Sequence, residues 1–163
     1  GGRAGGVRMR RPWTPSHQFV RHVLAGAELL AQLTEAQRAG GLELIGFDGE
    51  PVCWRRFLGP SGAIETLKPD AFVRVGVGEF EDAYFVENDL ATESPKVLDR
   101  KLDRYSAYDA NGMEQLRTGV FTRVLWHAAN AGRHAEIGDA CSGKPAARGT
   151  LRRGDAGANT ASQ

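Results

Sequence analysis

Two β-rich runs joined by a glycine turn constrain this chain more than any other feature. The first, "ETLKPDAFVRVGV" (65–77), gathers Phe72, Val73, Val75 and Val77. "GVGEFED" (76–82) supplies a turn, and "AYFVENDL" (83–90) returns. Such a pair reads as a β-hairpin. Its second strand carries two acids, Glu87 and Asp89, inside an otherwise apolar run. Side chains alternate along a strand, so both project from the face of Phe85, while Tyr84, Val86 and Asn88 point the other way. Asp70 follows Pro69 at the start of the first strand. With the turn near Gly76 to Glu79, Asp70 and the Glu87–Asp89 pair lie near the open end of the hairpin. Three carboxylates are expected to converge there.

Other elements surround the hairpin. "WTPS" leads into a helix from His17 to Arg38, with Ser16 as its N-cap and Val20, Val23, Leu24, Ala27, Leu30 and Leu33 near helical spacing. Gly40 and Gly41 stop it. "LELIGF" (42–47) reads as a short strand, "PVCWRRF" (51–57) as a second strand or an irregular connection, and "LGPSG" (58–62) as a loop. A helix follows over 92–112, with Pro95 in its first turn and an apolar stripe of Val97, Leu98, Leu102, Tyr105 and Tyr108. "GVFTRVLWHAA" (119–129) reads as a last buried strand. The expected fold class is α/β, a single domain whose mixed central sheet is flanked by helices. Residues 1–12 read as a disordered basic N-terminus, 13–130 as the core domain, and 131–163 as a poorly ordered tail rich in Gly, Ala and Arg.

Composition narrows the function classes. A chain of 163 residues suits one domain, and 41% hydrophobic with 25% charged residues suits a packed core. The apolar stretches are too short to span a bilayer, and the expected location is the cytoplasm. Cys53 and Cys141 stand far apart, and His17, His22, His127 and His134 form no ligand pattern, so no soft-ligand metal site is expected. The net charge is +1, but residues 1–12 carry four arginines and no acid, and residues 143–163 carry a net +3, which leaves −6 on 13–142. An acidic core between basic ends is not the footprint of a simple duplex-binding domain.

Converged carboxylates repel one another and are costly to bury, so a cation must offset them. Mg²⁺ takes carboxylate oxygens plus water, and a metal held by Asp70, Glu87 and Asp89 would activate a water and clamp a phosphodiester oxygen. The alternative is that Glu87 and Asp89 pair with Arg100, Lys101 or Arg104. Glu28 is read as an exposed helix residue, Glu50 as a turn acid, and Glu93 or Thr92 as part of the start of the second long helix. Arg55 and Arg56 either hold phosphate beside a stacking Trp54 or form an exposed strand face over a core tryptophan, and the second is preferred. His22 is read as a satisfied, partly buried histidine.

Six segments carry a resemblance: "WTPSHQFVRHVL", "EPVCWRRF", "LKPDAFVRV", "FVENDLATES", "RKLDRYSAY" and "VFTRVLW". Over about residues 12 to 130 the chain resembles the actinobacterial, plasmid-associated replication-relaxation family. More loosely, its α-β-β-β-α-β order resembles the core of the PD-(D/E)xK nuclease superfamily, with Pro69-Asp70 and Glu87-Asn88-Asp89 at the motif positions. The resemblance implies a DNA-processing accessory of plasmid replication or mobilisation, with DNA or a replication or mobilisation protein as partner. It also implies a candidate Mg²⁺-dependent phosphodiesterase in which Asp70 and Glu87 hold the metal and Asp89 assists. The motif lysine is replaced by Asp89, so Lys101 stands in for it, with Lys96 as the other candidate. Catalysis is therefore the less favoured outcome beside a non-catalytic interaction module. The longer members of the family carry a winged-helix domain before this region, and the chain is expected to be a truncated member without it.

Overall fold

The computed structural model describes residues 16–119, 122–144 and 150–152. Helix α1 (His17–Arg38) is followed by strand β1 (Glu43–Gly49), a ribbon of β2 (Arg55–Leu58) and β3 (Ile64–Leu67), and the hairpin β4 (Ala71–Val77) and β5 (Phe80–Asp89). Helix α2 (Pro95–Asn111), short helix α3 (Met113–Thr118), strand β6 (Arg123–Ala128), helix α4 (Ala131–Cys141) and strand β7 (Thr150–Arg152) complete it. The main sheet has the order β1-β4-β5-β6-β7. Its first three strands are antiparallel, and β5, β6 and β7 run parallel. The parallel step from β5 to β6 needs a crossover, which α2 and α3 provide. The architecture is the expected one: a single α/β domain with a mixed sheet flanked by helices. Among the described residues no helix is long and apolar enough to cross a membrane.

The hairpin forms as its pattern requires. Val77 pairs with Phe80 across two residues, and Gly78 takes φ 61 there. A two-residue turn that follows the strand twist needs a positive φ, which glycine adopts without strain. Alternation then divides the apolar residues between two cores. On one face Ala71, Val73, Val75 and Val86 pack under Leu29 of α1. On the other, Phe72, Phe85, Val124 and Trp126 pack under Leu98, Leu102, Tyr105 and Tyr108 of α2 and Ile137 of α4. Helix α2 ends at Gly112, whose φ of 77 is the left-handed cap that glycine favours.

Two expectations are corrected. The run 65–77 is not one strand. It breaks at Pro69 into β3 and β4, which belong to different sheets. Proline has no N–H for the ladder, and the chain turns a corner there, with the Cys53 thiol donating to the Pro69 carbonyl at 3.0 Å. The supposed tail is in part a helix. Residues 131–141 form α4, with Asn130 as N-cap, its side chain accepting from Arg133 N–H at 3.0 Å. The expected disorder of 1–12, and of 145–149 and 153–163 in the tail, lies outside the described residues.

Ile137 is fully buried against the α2 core. Ile137→Ala is expected to lower the unfolding free energy by about 2–5 kcal/mol, since it removes core contacts and leaves a cavity. Urea denaturation measures this. A change below about 0.5 kcal/mol, the surface range, would show that α4 does not belong to the folded core.

Candidate functional site

Strand β5 carries the site. Its last three residues, Glu87, Asn88 and Asp89, are all buried, with Glu87 and Asp89 each 2% exposed. An ionised carboxylate at that depth is stable only with cations and hydrogen bonds around it. Each acid finds its own. Glu87 Oε2 accepts from Lys101 Nζ at 3.0 Å, and Glu87 Oε1 accepts from the Tyr105 hydroxyl at 2.7 Å. Both donors stand on α2, one turn apart. Lys101 Nζ also lies 2.9 Å from Glu93. Asp89 turns to α4, where Arg133 grips it with two bonds, Nε to Oδ1 at 2.9 Å and Nη2 to Oδ2 at 2.8 Å. Asp89 Oδ1 also accepts from Ala91 N–H at 2.7 Å.

Asp70 sits at the corner between β3 and β4 and turns towards the opposite face. Its Oδ1 lies 2.8 Å from His22 Nε2 on α1, and its Oδ2 accepts the Asn88 N–H at 2.6 Å. Asn88 Oδ1 in turn lies 3.0 Å from His127 Nδ1. The three carboxylates thus leave the open end of the hairpin towards three helices, instead of converging. Asp70 and Glu87 remain close enough for the charge of one to act on the other, while Asp89 is committed to Arg133. Among the described residues no group of three His, Cys, Asp or Glu side chains is arranged to hold a metal ion.

Burial governs the titration of the cluster. Loss of water pushes the Glu87 carboxyl from its ordinary 4.5 up to about 7, Asp70 adds repulsion, and Lys101 and Tyr105 pull in the opposite sense. Burial works against the Lys101 ammonium, but Glu87, Asp70 and Glu93 overcome it and its pKa rises. His22 is raised chiefly by its hydrogen bond to Asp70, against desolvation. Tyr105 is raised well above its usual range by burial and by Glu87, so its hydroxyl stays a donor.

Two cavities flank the cluster. A space of about 120 Å³ opens over Glu87, lined by Lys68, Lys101, Arg104 and Tyr105 among others. A larger one, about 520 Å³, lies between α1 and the sheet, where His22, Asp70 and Asn88 meet Phe47 and Trp54.

The remaining sequence candidates sort clearly. Glu28 is exposed on α1 and Glu50 is exposed, accepting from Trp54 Nε1 at 3.2 Å. Glu93 precedes α2 and holds Lys101, while Ser94 rather than Thr92 is the N-cap. The preferred reading of 54–56 holds for Arg56, which is exposed, and is reversed for Trp54 and Arg55. Arg55 is buried, donating to the Cys53 carbonyl at 2.8 Å and lying over Phe72, and Trp54 faces out. Strand alternation allowed either phase, and Phe57 claims the core with Arg55. Lys96, Arg100 and Arg104 are exposed on α2. Arg133 is the residue that sequence reasoning missed. Its only signal was Asn130, a helix N-cap three residues earlier.

The fold and the site together define an α/β domain whose buried acids are neutralised from its helices. The chain belongs to the replication-relaxation family, which it matches over residues 2–124. Membership associates it with DNA replication and relaxation. No curated protein matches it.

Arg133→Ala leaves the buried Asp89 without its cation, and is expected to destabilise the fold by about 3–5 kcal/mol, which chemical denaturation reads directly. The Glu87 pKa gives a second expectation. Its folded value is raised, so its contribution to stability is complete below about 4.5 and is lost as pH rises through about 7. His22, also raised, acts with the same sign. The melting temperature should therefore fall between about pH 5 and about pH 8, and Glu87→Gln should flatten that fall. Parallel curves for the two proteins would rule out a shifted Glu87.

Proposed function

We propose that this chain is a non-catalytic DNA-interaction domain serving replication, of a plasmid as its sequence resemblance implies, on a scaffold like that of the PD-(D/E)xK nucleases. The observation that carries the reading is the separate pairing of the acids: Asp70 with His22, Glu87 with Lys101, Asp89 with Arg133. A Mg²⁺ site keeps carboxylate oxygens available to one ion and its waters. Here the oxygens of Asp89 are both taken by a buried guanidinium, and those of Glu87 by an ammonium and a phenol. The acids serve as anchors for three helices. The element order α1, β1, β4, β5, α2, β6 is compatible with the nuclease core, and DNA or a replication or mobilisation protein is the partner such a domain would meet.

One observation favours a second reading, a Mg²⁺-dependent nuclease. Lys101 sits 3.0 Å from Glu87 and feels the charge of Asp70, which is where a lysine displaced from the motif would have to stand. Asp70 and Glu87 would hold the ion, which would supply an activated water and a clamp on the phosphodiester. Asp89 does not fit as a third ligand, because Arg133 would have to be displaced.

Thermal melting with added Mg²⁺ or Mn²⁺ separates the two. A ligand that binds only the folded state raises the melting temperature. The non-catalytic reading expects no rise at millimolar ion. A rise in the wild type that Asp70→Ala and Glu87→Ala both abolish would replace it with the nuclease reading, and Lys101→Ala would then be expected to abolish cleavage of plasmid DNA.

A further inference from the structure

We propose that the small cavity over Glu87 opens onto a track for single-stranded nucleic acid, which runs along α2 and uses Trp54 as its stacking platform. This deepens the DNA-interaction reading above and rests on it. Three cations line that cavity, Lys68, Lys101 and Arg104. A space of about 120 Å³ is small for a base and suits a phosphate oxygen edge. Lys96 and Arg100 extend the charge. Lys96, Arg100 and Arg104 stand four residues apart, so they form one row on α2 with steps of about 6 Å. All three are exposed.

The row is free to take an anion. Among the described residues neither Lys96 nor Arg100 is in an ion pair, and Arg104 reaches Glu65 only at 3.9 Å. The two acids that would oppose it on the same helix, Asp99 and Asp103, are held instead by Lys144 at 3.3 and 2.7 Å. Lys144 carries one charge against these two acids, so with Glu65, Glu87 and Glu93 five acids stand against six cations. The balance is nearly even, and the cations left without an acid among the described residues are Lys96 and Arg100, exposed beside Arg104, where backbone phosphates can pair with them.

Trp54 gives the track its preference. Its indole is 36% exposed, its Nε1 donates to Glu50, and the Lys68 ammonium lies 4.4 Å from the ring centroid. Lys68 therefore joins the ring to the cavity. The Lys68 ammonium covers one face of the ring, so a base stacks there as that ammonium turns from the ring to the phosphate. Only an unpaired base can stack in this way, and aromatic platforms beside basic grooves bind single strands without sequence preference.

The test is fluorescence anisotropy of the full chain with labelled oligo-dT of about 20 nucleotides, longer than one such site, and with a duplex of the same length. The wild type should bind oligo-dT more tightly. The triple variant Lys96→Ala, Arg100→Ala, Arg104→Ala should weaken binding and reduce the salt slope by about 0.7 for each lost contact. Trp54→Ala should weaken oligo-dT binding about tenfold with little change of slope, and Trp54→Phe should keep most of the affinity. These side chains are exposed, and unchanged melting temperatures would confirm that the variants fold. Equal binding of duplex and oligo-dT, or no effect of Trp54→Ala, overturns the single-strand track and leaves the DNA reading standing. Wild-type affinity in the triple variant overturns the assignment to α2. No binding of either nucleic acid at low salt removes the DNA reading itself.

Discussion

A carboxylate that loses its water must be given a cation, and in this chain that requirement organises the helices around the sheet. β5 buries Glu87 and Asp89 on one face. α2 must then lie where Lys101 and Tyr105 reach Glu87, and α4 where both nitrogens of the Arg133 fork reach Asp89. Apolar packing alone tolerates sliding of a helix over a sheet. A bidentate bond at 2.8 to 2.9 Å does not. The pairs add little to net stability, because desolvation consumes most of their attraction. Their effect is to make the alternatives costly. A second buried group repeats the pattern at the far end of the same core, where Glu114 accepts from Tyr108 at 2.6 Å and from Thr122 at 3.1 Å.

Much of this was legible in the sequence where periodicity speaks. The two faces of 84–89 follow from alternation alone, and the stripe of Leu98, Leu102, Tyr105 and Tyr108 follows from helical spacing. The hairpin turn follows from glycine. Three things were not legible, each for a physical reason. The break at Pro69 was hidden because both flanking segments are β-rich, and composition cannot say which sheet a strand joins. The phase of 54–57 was ambiguous because arginine and tryptophan both have an apolar body and a polar end. Helix α4 was missed because Gly132 and Gly138 weaken its propensity, and its inward face is led by an arginine instead of an aliphatic residue.

The candidate site shows the limit more sharply. Sequence placed Asp70, Glu87 and Asp89 at the open end of the hairpin, with Lys101 on the helix that follows, and Lys101 reaches Glu87 from there. Whether acids so gathered meet at one point depends on side-chain direction at a strand end. It also depends on which cations the other elements bring, and Arg133 arrives from a segment that composition marked as structureless. The same hairpin end is compatible with an ion shared by its acids or with acids divided among helices. The division observed here leaves Lys101 between Glu87 and Glu93, in the lining of the small cavity it shares with Lys68 and Arg104.

The bond between Asp89 and Arg133 joins residues 44 positions apart. A chain emerging from the ribosome makes the acid first. Until the arginine has also emerged, the centre of the sheet holds a carboxylate with no counter-charge, and closing the core over it is unfavourable. The strand must wait in contact with water. Closure of the core is thereby coupled to the arrival of α4, which acts as a latch that permits the middle of the sheet to shut.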